Sequence, residues 1–149
     1  MNYDSSIDTL NHIKRVGVLL HQMVLNLLNK IDLHDASKLK SPEKVIFDEY
    51  TPKLKNSTYG SEEYKLFLEN MKIALDNHYN INSHHPEHYK RGINDMDLID
   101  LLEMLCDWKA ASERHADGNI FKSIEINKKR FSISDQLTDI FINTVKRYL

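Results

Sequence analysis

Four of the eight histidines, His78, His84, His85 and His88, fall within eleven consecutive positions. Imidazoles at that density between two well-marked helical segments are a natural source of metal ligands; without a fixed geometry they are only a histidine-rich surface loop. A second concentration precedes them. His34-Asp35 places two ligand types side by side, Lys38 follows, and His12 stands within the preceding helical segment. Neutral imidazole and carboxylate together suit a first-row divalent ion. A third source is the run Met96 to Trp108, where Asp100, Glu103 and Asp107 fall near one line of a helical wheel. The rest of that run is Leu, Ile, Met, Cys and Trp, the composition of a buried helix. A carboxylate in such a helix has to be paired, hydrogen-bonded or bound to metal. The alternative for these three is an exposed stripe bridged to Lys109 and Arg114.

The elements that must position these groups read as helices. Residues 5–30 carry Ile7, Leu10, Ile13, Val16, Leu20, Met23, Val24 and Leu27 at helical spacing, with Ser5 or Ser6 as cap. His12 lines up with Val16, Leu19 and Met23 and so points to the core. Ser41-Pro42-Glu43 is a helix start with Ser as cap and Pro at the first helical position. That helix should end near Tyr50, because Pro52 disfavours the helical conformation at Thr51. A polar loop follows from Lys53 to Gly60. The next helix runs from Ser61 to about Tyr79, then a loop from Asn80 to Asp95 holds the histidine-rich segment. The most apolar helix spans Met96 or Asp97 to about His115, with Gly118 as its punctuation. Two more follow, about 119–130 and 135–148, the second capped by Ser134. The expected fold is all-α, a compact bundle of five to six helices in one domain over 1–149, with the site core in about 10–115.

A chain of 149 residues with 41% hydrophobic and 28% charged composition is long enough for one buried core. Four glycines and three prolines leave few loops, which favours helices over many short strands. The net charge of −2 creates no global field for duplex nucleic acid or acidic membranes. Lys128-Lys129-Arg130 reads as a solvated helix end rather than a nucleic-acid footprint. Cys106 is the single cysteine, so no disulfide framework or thiolate cage exists, and it reads as a small core residue. No signal peptide and no membrane span are visible, so a cytoplasmic protein without membrane contact is expected.

The ordered set His12, His34-Asp35, then Asp107 late in an apolar helix resembles the HD superfamily of metal-dependent phosphohydrolases. The run His34-Asp35-Ala36-Ser37-Lys38 is similar to the H-D-x-G-K form of its cyclic-dinucleotide phosphodiesterase branch, with Ser37 where that form has glycine. His84-His85-Pro86-Glu87 resembles the H-H-E segment of the same branch, interrupted by Pro86. The resemblance covers about residues 10–115 and implies an HD-like fold. It implies that His12, His34, Asp35 and Asp107 hold a first metal, and that Asp35 bridges to a second held by His78 and by His84 or His85. One or two divalent ions are thus implied, among Mn, Fe, Ni, Zn and Mg. Two such ions position a hydroxide for attack on phosphorus and neutralise the phosphoryl oxygens. In that scheme Lys38 contacts phosphate or supports the attacking water. Glu43 serves as general acid or base, or supports a ligand, though an early helix residue also simply favours the dipole. Arg15, His88 and Arg91, with Lys14 and Lys90 beside them, are the residues placed to meet substrate phosphate.

The expected activity is hydrolysis of a phosphoester in a small phosphorylated substrate, a nucleotide or cyclic nucleotide, by metal-activated water. The alternative is a metal- or nucleotide-binding helical protein that senses or sequesters without turnover. A third reading makes the same polar residues buried salt bridges of an interaction protein. The helices after 119 either cover the core or form a homodimer contact. No Rossmann fingerprint, P-loop or G-x-S-x-G element is present, which removes support for nicotinamide redox, ATPase and serine-hydrolase chemistry.

Overall fold

The computed structural model describes residues 3–57, 61–114 and 118–149. The protein is all-α: among the described residues there are seven α-helices and no strand. The chain falls into two units, residues 1–34 and 35–149.

The first unit is built on α1 (Ser6–Leu33). A stretch without proline and with one glycine, Gly17, sustains 28 helical residues, about 42 Å of helix. Ser5 occupies the cap position but its side chain makes no cap bond; Asp4 Oδ1 accepts from the Ser6 N–H at 2.9 Å instead. A carboxylate there also meets the positive end of the dipole, as Asp8 does in the first turn, and Lys30 sits in the last. The helix ends at His34, whose N–H bonds the Lys30 carbonyl at 2.8 Å.

Asp35 opens the second unit with φ +55°, a left-handed conformation that aspartate tolerates better than most residues. A 3-10 turn over Ala36–Leu39 follows, then α2 (Glu43–Asn56), α3 (Glu62–Asn70) and α4 (Lys72–Ile81). Two further 3-10 turns, Pro86–His88 and Gly92–Asp95, lead into α5 (Leu98–Ser112), α6 (Ile120–Phe131) and α7 (Asp135–Tyr148). Gly92 takes φ +57° where the chain reverses between those turns, a conformation glycine adopts without steric cost. α2 packs on α3, α4 and the 36–39 turn, while α6 packs on both α5 and α7. The latter three bury Met104, Leu105, Ile120, Ile124, Phe141 and Val145, with Ile133 from the connection. Each such side chain contributes about 1.5–3 kcal/mol when fully buried. Trp108 stacks on Phe131 and meets Phe141 edge-on.

Several boundaries differ from those the sequence implies. α2 runs through Pro52 to Asn56 rather than stopping near Tyr50. The half-buried Ile46, Phe47, Tyr50 and Leu54 form one stripe that crosses the proline, and its packing outweighs one lost hydrogen bond. Ser41 is not the cap: α2 begins at Glu43, preceded by Pro42, and the Glu43 side chain bonds Ser37, Asn77 and His78. The helix expected over 61–79 divides at Met71 into α3 and α4, which brings the count to seven. Ser61 does cap α3, accepting from the Tyr64 N–H at 3.1 Å. α5 closes at Ser112, short of His115, which lies outside the described residues, as does the 58–60 part of the expected polar loop. Cys106 is exposed rather than in the core, since α5 buries Met104 and Leu105 on another face.

Candidate metal centre

α4, the segment after it, and the start of the second unit bring three imidazoles and a carboxylate together. His78 sits in the last turn of α4, His84 and His85 lie just beyond its end, and Asp35 comes from the left-handed residue before the 36–39 turn. One ligand atom from each of Asp35, His78, His84 and His85 lies within 4.8 Å of all the others. His78 Nε2 is 2.8 Å from His85 Nε2 and 3.3 Å from Asp35 Oδ1, and His84 Nε2 is 3.6 Å from that same oxygen. A divalent ion bound at about 2.1 Å sets its ligand atoms roughly 3.0 Å apart in an octahedron and 3.4 Å in a tetrahedron. The observed edges bracket both values.

The remaining ring nitrogens decide which way the lone pairs face. Glu43 Oε2 accepts from His78 Nδ1 at 2.9 Å, which leaves the Nε2 lone pair turned to the cluster. Glu43 is fully buried, and its carboxylate also accepts from Asn77 Nδ2 at 2.8 Å and Ser37 Oγ at 3.1 Å. Asn82 donates to Ser37 Oγ and to the His78 carbonyl, closing a polar layer beneath the ring. His84 Nδ1 stands 3.2 Å from Glu103 Oε1 of α5, a second imidazole backed by a carboxylate. The 2.8 Å approach of His78 Nε2 to His85 Nε2 suits either an N–H···N hydrogen bond or a cation shared between the two rings. The donor set therefore fits a divalent ion of the imidazole-preferring class.

Electrostatics agree. Burial, with His84 and His78 next to it, holds His85 down at about 3. Burial first and the Lys38 ammonium second also lower His78. Both rings are therefore neutral near pH 7, the form in which an imidazole can ligate a metal. Lys38 Nζ lies 2.6 Å from Asp35 Oδ2, the oxygen on the far side from the imidazoles, and keeps part of its side chain exposed. Its ammonium is 5.8 Å above the Phe47 ring, which itself meets His78 edge-on.

Of the site residues the sequence points to, Asp35, His78, His84 and His85 are thus brought together, with Lys38 at the rim and Glu43 beneath. A carboxylate oxygen of Asp107 lies within 4.8 Å of one of Asp35. His12 and Arg15 lie on α1 in the first unit, and His34 is that unit's last residue. His88 is turned aside, its Nδ1–H donating to the Tyr79 carbonyl at 2.9 Å. Arg91 is exposed and tied to Asp95 through its backbone N–H and guanidinium. Asn77 and Asn82 are the participants that reading the ligands alone misses, while Glu103, one of the three carboxylates singled out on the apolar helix, meets His84. For Glu103 a signal exists: a carboxylate three residues after Asp100 on an apolar helix needs a partner inside.

Residues 1–147 match DUF5662, described as a family of unknown function. Comparison with curated proteins and with solved structures finds no match. With nearly its whole length covered by that match, the chain belongs to the DUF5662 family.

Proposed function

We propose that this protein is a divalent-metal-dependent phosphohydrolase of HD-like type, acting on a phosphoester of a nucleotide or cyclic nucleotide. The observation that carries the reading is the convergence of three imidazole Nε2 atoms and Asp35 Oδ1, with the Lys38 ammonium on the other oxygen of the same carboxylate. Bound there, a divalent ion supplies a hydroxide near neutral pH and neutralises phosphoryl oxygens. The chain's own residues then divide the remaining work. Asp35 presents one oxygen to the centre, while Lys38 pairs with the other and orients the carboxylate. A phosphoryl oxygen held beside Asp35 is within reach of the Lys38 ammonium, which offers three donors and a full charge. Glu43 is too deeply buried to touch substrate, so its part is to fix the His78 tautomer and ring orientation.

The test is metal content by elemental analysis, followed by a phosphoester screen with Mn²⁺, Co²⁺ and Zn²⁺ loading. At least one equivalent is expected in the wild type and loss of it in Asp35→Ala/His84→Ala. Lys38→Met should retain the metal and lose about a hundredfold in rate, the scale of removing one charge-stabilising donor. A wild type that takes up none of the three metals sinks the reading. Metal uptake without turnover on any phosphomonoester or phosphodiester leaves a metal-binding module in its place.

A further inference from the structure

The two ligands His84 and His85 sit in an awkward place. Between the end of α4 at Ile81 and the start of α5 at Leu98, the chain has no regular structure longer than a single 3-10 turn. Connections of that length are where conformational multiplicity concentrates. Ligands carried on such a segment need something to hold them before a metal arrives.

We infer that Asp100 is the positioning residue of the candidate metal centre, clamping both ends of the ligand-bearing segment through Ser83 and Tyr89. The inference rests on the metal reading above. Asp100 is 4% exposed, on the first turn of α5. Its Oδ1 accepts from Ser83 Oγ at 2.6 Å and its Oδ2 accepts from Tyr89 OH at 2.5 Å. Ser83 immediately precedes His84, and Tyr89 immediately follows His88. One carboxylate thus ties the two ends of His84-His85-Pro86-Glu87-His88 to one point on α5. One helical turn further on, the same helix presents Glu103 to His84 Nδ1. Asp100 is itself fixed, since its N–H bonds the Asp97 side chain that caps α5. A buried carboxylate is tolerated where donors offset its desolvation, and two hydroxyls meet that requirement while both serving the segment. Burial, and then the bond to Asp100, push the Tyr89 hydroxyl up to about 12, so it stays a donor at every working pH. The clamp preorganises two of the four ligand atoms, and preorganisation reduces the ordering cost of binding.

Co²⁺ serves as the probe, added to metal-stripped full-length protein and followed by its visible absorption. Tyr89→Phe, Ser83→Ala and the double variant remove hydroxyls without touching a ligand. The double variant is expected to keep its helical circular dichroism and to lose about 10–100-fold in Co²⁺ affinity, the usual consequence of removing a partner behind the ligands. Its absorption band should change in shape, because ligand placement changes. Ser83→Thr keeps the hydroxyl and should bind as the wild type does. Ser134→Ala, which removes the cap of α7 far along the chain, controls for stability alone. Wild-type affinity and band shape in the double variant overturn the clamp while leaving the metal centre standing. A loss no greater than that of Ser134→Ala at matched destabilisation also overturns it. A wild type that takes up no Co²⁺ overturns the metal reading and the clamp together. If the double variant does not fold, Tyr89→Phe, which deletes one oxygen, decides by the same two readouts.

Discussion

Each imidazole has two nitrogens, and what one of them meets decides where the other points. At His78 the choice is made by Glu43, which stands 35 positions earlier in the chain and is fully buried. At His84 it is made by Glu103, on α5. Replacing Glu43 with glutamine keeps the shape of the side chain and removes its charge. The amide can then present its NH₂ to His78 Nδ1, which favours the tautomer whose Nε2 carries the proton and cannot bind metal. Glu43→Gln is therefore expected to lower metal affinity by about 10–100-fold with little change in melting temperature of the metal-free protein. Isothermal titration with Zn²⁺ reads the first and circular dichroism the second; unchanged affinity would show that Glu43 does not set the tautomer. The same residues mark what the sequence reveals and what it hides. The ligand types at 34–35 and 78–88 are legible because histidine is rare enough for a cluster to stand out. The carboxylates behind them, Glu43 and Glu103, stand out by position but not by role, since glutamate is common on helices and only tertiary packing shows which one turns inward. Glu43 illustrates this well: by position it reads equally as a dipole partner, and burial is what separates the two roles.

At the scale of elements, periodicity carries the all-α fold and most helix starts, including those near Ser61 and Asp97 and the cap Ser134. Periodicity fails at α2 for a reason that can be measured. Local preference ends that helix before Pro52, yet the stripe of Ile46, Phe47, Tyr50 and Leu54 continues across it to pack on α3 and α4. Proline supplies no N–H for the Asp48 carbonyl, and its ring crowds that carbonyl. Its restricted φ returns part of this by limiting the unfolded chain, about 0.4–1 kcal/mol. The helix-interior penalty of about 3 kcal/mol relative to alanine is the larger of the two. Pro52→Ala should accordingly stabilise the protein by about 2–2.6 kcal/mol, the difference of the two terms, seen as a higher urea midpoint with an unchanged m-value. A lower midpoint would mean that the kink itself is needed for α2 to reach its partners.

For the whole molecule, charge and stability are linked through the centre. The chain is close to neutral overall, at −2, so long-range attraction for a cation is weak and the pull is local. Beside the imidazoles stand Asp35, Glu43 and Glu103, with Lys38 as the ammonium paired to Asp35. Carboxylate oxygens set beside neutral imidazoles form a donor set that a divalent ion would match. The candidate ligands come from Asp35, from α4 and from the segment after it, and unfolding scatters them. A metal that binds the folded arrangement and not the unfolded chain must raise stability by mass action. At a free concentration a hundred times its dissociation constant, the gain is about 2.7 kcal/mol. For a chain of this size that corresponds to roughly 5–10 °C in melting temperature. Loading with Zn²⁺ or Mn²⁺ should therefore raise the melting temperature by that amount, and a chelator should reverse it. In Asp35→Ala/His84→Ala the shift should vanish while the metal-free melting temperature remains measurable. A shift of the same size in that variant would place the stabilising metal elsewhere on the chain and detach the four-residue cluster from the proposed metal binding.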